Sequence, residues 1–267
     1  MKEREMSFIK TCFRQCFDFM NPYLTNGRKF LSSLAKRKKI KEGGNEQYEF
    51  DVRLDEIVKR NIKRFDLSGR IFSEESGFYE FGRPRYRIVF DPFCNSSLAA
   101  RTFMEAAIGI SIFTYNYVPV MSAIMDYQTG LVGILKEGKT LFYQVHDWRR
   151  INLQSRLSAT ALDDAWIVVT LENRDERNRA KRLREIFNNS GRLIIGSGHI
   201  YWLKLAAGFI DGYLDPIGGE KLYEMFACAV AQGAGCIVTD TNGEVFDPAK
   251  YLRIFERDES YIYYPVS

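Results

Sequence analysis

The sequence predicts a first half of α+β character dominated by antiparallel strands, followed by an α/β second half. Three observations predict it. Before about residue 150, short runs rich in β-branched and aromatic residues follow one another across tight turns such as Gln128-Thr129-Gly130 and Glu137-Gly138-Lys139. After it, strand-like and helix-like stretches alternate. With 267 residues, 46% of them hydrophobic, the chain can bury one large core or two smaller ones. The division is placed at 1–150, which holds the motifs around Glu74 and Asp91, and 151–267.

Element by element, an amphipathic helix opens the chain to about Met20. Cys12 and Cys16 lie four apart among Phe8, Ile9, Phe13 and Phe17, which marks an apolar helix face rather than a ligand pair. A second helical stretch is expected to about Lys39, then a loop, "KEGGNEQ". "LDEIVKRNIKRF" returns to helical spacing, with Leu54, Ile57, Val58 and Ile62 on one face. "GRIFSEESG" and "RYRIVFDP" read as strands, and a serine-capped helix opens at Ser96 or Ser97. "GISIFTYNY", "VPVMSAIMDYQTG" and "LVGILKEGKTLFYQV" continue as strands. In the second half, "AWIVVTLE", "GRLIIGSG", "FIDGYLD" and "CIVTDTNG" read as strands. "RDERNRAKRLREIFNN", "HIYWLKLAAG" and "GEKLYEMFACAVAQGAG" are the helices between them. "TDTNGEVFD" has an Asn-Gly turn between two short extended runs and lacks the acid spacing of a calcium loop.

Charge and composition exclude several classes. The 38 basic residues barely outnumber the 34 acidic ones, so neither nucleic acid nor a membrane surface is implied as a partner. "KRKKIK", at 36–41, could be a nucleic-acid patch or a localisation signal, but no aromatic residue interleaves it and a solvated helix end and loop explains it. Five cysteines without a CxxC pair, and only two histidines, argue against a disulfide framework and against a zinc site of ordinary spacing. A reducing, cytoplasmic location is the expectation. Charges interrupt the first ten residues, so no secretory leader is visible. Residues 106–125 carry no charge over a membrane-spanning length, yet their β-branched and aromatic content and Pro119 point to two buried strands instead.

Four acidic elements fall where a strand or loop meets a helix: Asp55 in "RLDEI", Glu74-Glu75 in "FSEESG", Asp91 in "VFDPFCNSS" and Glu224 in "KLYEMFACAVAQGAG". Carboxylates are hard oxygen donors suited to Mg2+, which binds through few of them and keeps room for water and substrate phosphate. Two such ions can polarise a phosphoryl group and activate a water. Asn95, Ser96 and Ser97 open a helix whose free backbone amides favour an anion. Each piece alone is weak, since loop acids are usually solvated and "SS" is often only a cap; the ordered set of four is far less ordinary.

In that order, and across residues 43–247, the chain resembles the inositol monophosphatase and fructose-1,6-bisphosphatase superfamily of lithium-sensitive phosphatases. "SEESG" is similar to its Glu-Glu metal loop, and "RLDEI" to its early Asp-bearing helix. "DPFCNSS" resembles its DP(I/L)DG(T/S) signature, nearest the bisphosphatase form DPLDGSS, and "KLYEMFACAVAQGAGCIVTD" its late acidic helix. "GSGHIYWLKLAAGFIDGYLD" resembles the pocket wall. The resemblance implies a layered αβαβα sandwich, Mg2+ (or Mn2+) as cofactor, a small phosphorylated metabolite as substrate, and a homodimer or homotetramer. It also implies that Glu74, Asp91 and the Phe93 carbonyl hold a first ion and that Ser96, with Glu74, orients the attacking water. Asn95, Ser96 and Ser97 would receive the phosphate, Glu224 would reach a second ion, and Asp55 would support the outer shell or a third ion.

The departures matter as much. Cys94 stands in the place of the signature's second aspartate, where a soft thiol suits Mg2+ poorly. Asn95 replaces its glycine. An ungapped match puts Tyr223 rather than Glu224 at the late acid's position, and a one-residue gap restores Glu224. Two functions follow: a metal-dependent phosphatase with a weakened second ion site, or a catalytically silent relative that binds a phosphorylated metabolite or a protein. A Cys94 nucleophile is a third chemistry, but Arg101 follows seven residues later, not at the CxxxxxR spacing. His199 reads as a capping or packing residue, or as a substrate contact.

Overall fold

The computed structural model describes residues 2–25, 37–40, 46–96, 105–153, 161–170, 184–215, 223, 226–240 and 242–257. Its strands are β1 (Arg37–Ile40), β2 (Glu46–Tyr48), β3 (Gly69–Ser73), β4 (Gly77–Phe81), β5 (Tyr86–Cys94), β6 (Ala107–Thr114), β7 (Pro119–Asp126), β8 (Leu131–Lys136), β9 (Lys139–Gln144), β10 (Arg150–Ile151), β11 (Trp166–Val169), β12 (Arg192–Ile195) and β13 (Gly212–Leu214). The main sheet has eight strands in the order β10-β9-β8-β7-β6-β5-β3-β4. Its neighbours are antiparallel except β3 and β5, which run parallel. The second sheet, β12-β11-β13, is parallel throughout.

Apolar alternation along the strands places these sheets in layers. On one face of the main sheet, Ile88, Phe90 and Ile110 pack with Phe8 and Phe13 of helix Lys2–Leu24 and with Leu54 and Val58 of helix Glu49–Arg64. On the other face, Ala107 and Ile124 meet Ile200 and Leu203 of helix His199–Ala206 and Val230 of helix Cys228–Gly233. Val168 of the second sheet joins that same cluster. Beyond the second sheet, Ile167 and Val169 pack on Ile186 and Phe187 of helix Arg184–Asn189. The order is helix, sheet, helix, sheet, helix: the αβαβα sandwich that the resemblance implied. Every residue of β5 is buried, as a strand covered by helices on both faces requires.

Several elements differ from the sequence reading. The second helical stretch does not reach Lys39: Arg37–Ile40 is a strand paired antiparallel with Glu46–Tyr48, so the loop "KEGGNEQ" also loses its last two residues to that hairpin. A basic run without apolar spacing has no helical face to bury, and cross-strand pairing satisfies its backbone instead. "CIVTDTNG" contributes only an isolated bridge, Thr239 to Val245, because Asp240 folds the chain by accepting the backbone N–H groups of Asn242 (2.8 Å) and Glu244 (3.0 Å). Within "GEKLYEMFACAVAQGAG", Tyr223 and Cys228–Gly233 are helical and Phe226 and Ala227 form a turn, while its other residues before Phe226 lie outside the described residues. A helix the sequence reading omitted, Pro248–Arg257, closes the described chain. Asp247 caps it by accepting the Ala249 N–H at 2.8 Å, and Pro248 begins it, a start signal legible in "DPAK". Among the described residues, no helix is long and apolar enough to cross a membrane.

Candidate functional site

The parallel pair β3–β5 positions the acids. Its register pairs Ser73 with Phe90, and the Glu74 N–H continues the ladder to the Phe90 carbonyl at 3.1 Å. Glu74 and Asp91 therefore leave adjacent strands at the same carboxyl end, where open α/β sheets place their ligands. Asp55 braces this end from helix Glu49–Arg64. Its Oδ1 accepts the hydroxyls of Ser73 and Ser76 (the latter at 3.1 Å), and its Oδ2 lies 3.4 Å from Lys59 Nζ. Ser73 Oγ accepts the N–H groups of Glu75 (3.1 Å) and Ser76 (3.2 Å), so Asp55 orders the Glu74-Glu75 turn from behind.

A bulge in β5 sets the second feature. Asp91 pairs with Gly109 and Cys94 with Ala107, so three steps along β5 oppose two along β6. In a regular strand, residues three apart face opposite sides; the extra residue puts Asp91 and Cys94 on one side. Pro92 sits in the bulge, and the Phe93 N–H donates to Asp91 Oδ1 at 2.9 Å. The Phe93 ring packs against Phe50 (4.7 Å) and Tyr127 (5.1 Å), anchoring the bulge in the core.

His199 arrives at this bulge from the start of helix His199–Ala206. Its backbone N–H donates to Cys94 Sγ at 3.4 Å, and its Nδ1 faces Asp91 Oδ2 at 3.7 Å. Nε2 lies 3.2 Å from the Tyr223 carbonyl and donates to it. Asp91, Cys94 and His199 are all within 1% of full burial, and one donor atom from each lies within 4.8 Å of the other two. Burial holds the imidazole's pKa down at about 4, against the opposing pull of the Tyr223 carbonyl and the Glu74 charge, so the ring is neutral. Two glycines make the approach possible. A Cβ at Gly198, whose φ is +89°, would stand 2.3 Å from Cys94 Sγ, and one at Gly109 would stand 2.4 Å from His199 Nε2.

Asn95 occupies a left-handed turn, φ +68°, a conformation glycine or asparagine tolerates. Its amide donates to the carbonyls of Ser197 (2.6 Å) and Glu105 (3.0 Å), and its Oδ1 accepts the Ser197 hydroxyl (3.2 Å). The side chain thus ties the loop before His199 to the end of β5. Ser96 is helical and half-buried, the last described residue of this segment. Ser97, Arg101 and Glu224 lie outside the described residues. Tyr223 is buried and meets His199 through its carbonyl.

The structure thus gathers Glu74, Asp91, Phe93, Cys94, Asn95 and Ser96 at one sheet end, with Asp55 behind. Sequence reasoning named His199 as a capping, packing or substrate-contact residue but missed its place against Asp91 and Cys94, which are distant in the chain. As a home for Mg2+, Glu74 and Asp91 offer hard oxygens, and Cys94 and His199 do not.

No protein-family model matches the sequence, and neither does any curated protein. Solved structures do match in fold. The extragenic suppressor protein SuhB of Bartonella henselae superposes with a TM-score of 0.74 over 90% of this chain and 88% of that one, at 16% identity. The Thermotoga maritima IMPase gives 0.69 over 91% and 88%, at 14% identity. An inositol monophosphatase-fructose 1,6 bisphosphatase gives 0.70 over 90% and 88%, at 18% identity. The chain therefore has the layered αβαβα fold of the inositol monophosphatases, over nearly the whole of its length and of theirs.

Proposed function

We propose that the chain is a divalent-metal-dependent phosphoric monoester hydrolase. Its substrate is a small phosphorylated metabolite of the inositol phosphate, sugar phosphate or fructose bisphosphate type. One observation carries this reading: the parallel β3–β5 register that delivers Glu74 and Asp91 to the same strand end, in a fold shared with phosphatases. In it, Glu74, Asp91 and the Phe93 carbonyl hold a first ion, Mg2+ or Mn2+, and Glu224 serves a second. Bound there, the ion supplies electrostatic stabilisation of the phosphoryl group and an activated water. The chain's own groups orient the reactants: Ser96 with Glu74 aims the water, and the amides of Asn95, Ser96 and Ser97 receive the phosphate. Cys94 in place of a carboxylate weakens the second ion's site. A cytoplasmic location and a homodimer or homotetramer accompany this reading.

Its test is phosphate release from a panel of inositol and sugar phosphates with Mg2+ or Mn2+, alongside Asp91→Asn. Divalent-dependent turnover that Asp91→Asn abolishes supports the hydrolase. A specific observation favours a second reading, a catalytically silent relative that binds a phosphorylated metabolite or protein: the His199 imidazole is buried against Asp91 and Cys94. Binding of a panel member without turnover by any variant would select it.

A further inference from the structure

We propose that Asp91, Cys94 and His199 form a binding site for a zinc-class divalent ion, where the resemblance implies a second magnesium. The inference rests on reading the strand ends as a metal centre and changes the class of ion that one position takes.

The decisive atom is His199 Nδ1. With Nε2–H donated to the Tyr223 carbonyl at 3.2 Å, the neutral ring carries its lone pair on Nδ1. That atom is buried without a hydrogen-bond partner and looks at Asp91 Oδ2 across 3.7 Å, too far for a hydrogen bond. The opposite tautomer would set the Nε2 lone pair against the Tyr223 carbonyl. Two electron-rich atoms facing each other in a buried site call for a cation between them. A ring whose far N–H is fixed by a backbone carbonyl is also the usual arrangement of a metal-ligating imidazole.

The spacing and chemistry agree. Zinc bonds of about 2.0–2.3 Å give tetrahedral edges of about 3.3–3.8 Å, and the Nδ1–Oδ2 separation of 3.7 Å spans such an edge. Sγ of Cys94 completes a set of donor atoms mutually within 4.8 Å. A carboxylate, a thiolate and an imidazole are the donors zinc accepts, and binding itself removes the thiol proton. Magnesium demands near-octahedral oxygen ligation, which a sulfur and a nitrogen cannot supply. The room for this grouping comes from Gly109 and Gly198, where any Cβ would collide with the imidazole or the sulfur. Among the described residues three donors stand here, and a fourth tetrahedral position open to a non-protein ligand is the pattern of catalytic rather than structural zinc. No zinc spacing is visible along the chain, because the donors come from one bulge and from a helix start 105 residues beyond Cys94.

The test uses the full chain, stripped with a chelator and titrated with Co2+ as a coloured substitute for zinc. One equivalent should produce near-ultraviolet thiolate-to-cobalt charge-transfer absorption, removed by Zn2+ and untouched by a large excess of Mg2+. Cys94→Ser should abolish the band, and Cys236→Ser, outside the site, should preserve it. His199→Gln should weaken Zn2+ affinity by at least about tenfold, since losing even a group that only orients a ligand costs about that much. Because Cys94 is buried, circular dichroism of Cys94→Ser checks its fold, and the zinc-dependent rise in melting temperature of the wild type against His199→Gln gives a second readout. No charge-transfer band, a band retained in folded Cys94→Ser, or displacement of Co2+ by Mg2+ overturns the proposal. A thiolate band without phosphate release leaves the metal site standing and removes the hydrolase. Magnesium-dependent turnover without the band does the reverse.

Discussion

Gly109 on β6 lies directly against the imidazole of His199: a Cβ at that position would come within 2.4 Å of Nε2, 2.5 Å of Cδ2 and 2.8 Å of Cε1. The ring cannot retreat easily, since it is buried and its Nε2 is tied to the Tyr223 carbonyl. Gly109→Ala should therefore destabilise the fold by about 1–3 kcal/mol, the range for overpacking a filled core. In a His199→Ala background the same change should cost at least about 1 kcal/mol less, because the clashing atoms are gone. Denaturant midpoints of the four chains measure this coupling. Equal costs in both backgrounds would mean that the ring does not lie against Gly109.

Asn95 offers a sharper comparison of side chains. Its left-handed backbone favours glycine over alanine by about 1 kcal/mol, while either substitution loses the amide contacts to Ser197 and Glu105. Asn95→Ala should cost about 2–3 kcal/mol, adding strain to unmet carbonyls, and Asn95→Gly about 1 kcal/mol less. If the family's glycine proved worse than alanine here, the turn's conformation would have to be different.

The C-terminal helix is held by a buried charge network. Arg87 Nε donates to Glu256 Oε1 at 2.5 Å with both side chains 5% exposed. Tyr117 OH donates to Oε2 at 2.6 Å, and Arg70 reaches the same oxygen at 3.4 Å. Arg87 also lies over the rings of Tyr115 (4.2 Å) and Tyr117 (3.9 Å). Glu256→Ala strands the Arg87 charge and should cost about 3–5 kcal/mol, whereas Arg87→Met with Glu256→Leu should cost far less than the sum of the single losses. Additive losses in urea unfolding would refute the network's coupling.

Much of this fold was legible because its signals are local. Runs rich in β-branched and aromatic residues between turn signals marked β3 and β5 to β9, and strand-helix alternation marked the parallel sheet. Turn and cap residues set most boundaries. Glu74 and Asp91 were legible as strand-end acids. What one dimension hides is parity and proximity. "FDPFC" does not show that a bulge turns Asp91 and Cys94 to one side, and "GSGHIYW" does not show that its histidine reaches that bulge. Those relations depend on β6 register and on the packing of helix His199–Ala206 across the sheet. The hairpin Arg37–Ile40 with Glu46–Tyr48 was hidden for the same reason: pairing, not periodicity, forms it.

Tyr86 links the first helix to β5 and gives the fold an alkaline limit. Its phenol donates to buried Glu5 at 2.5 Å. Burial first, then the hydrogen bond to Glu5 and the repulsion of its carboxylate, push the phenol's pKa up from 10.0 to about 12. Between those values the unfolded chain has lost a proton that the native chain keeps, so stability falls as pH rises. The contribution is intact below about pH 10 and gone above about pH 12. Tyr86→Phe should flatten that part of the stability curve, read as melting temperature against pH from 9 to about 12. An identical slope in the variant would place the titration elsewhere.

Cys94→Asp asks what the sulfur does. The new carboxylate inherits the His199 N–H, which meets Sγ at 3.4 Å in the native chain, but it lies beside buried Asp91 on the same side of the bulge. Two like charges in a buried site repel, so the metal-free variant should be less stable than the native chain by about 1–3 kcal/mol. A hard divalent ion between them reverses the sign. Mg2+ at about 100 times its dissociation constant should return about 2.7 kcal/mol through binding to the folded state alone. The native chain, with its thiol and imidazole, should show much less stabilisation by Mg2+. Magnesium-dependent phosphate release should rise by about tenfold or more, because the second ion regains a hard ligand. Adding Asn95→Gly should extend the gain by opening the turn beside the phosphate position, at some cost in the loop's attachment. Melting temperatures across a Mg2+ series and turnover on the same substrate panel are the two readouts. A Cys94→Asp chain as stable without magnesium as the native one, and no more responsive to it, would show that the bulge does not bring positions 91 and 94 to a common ion.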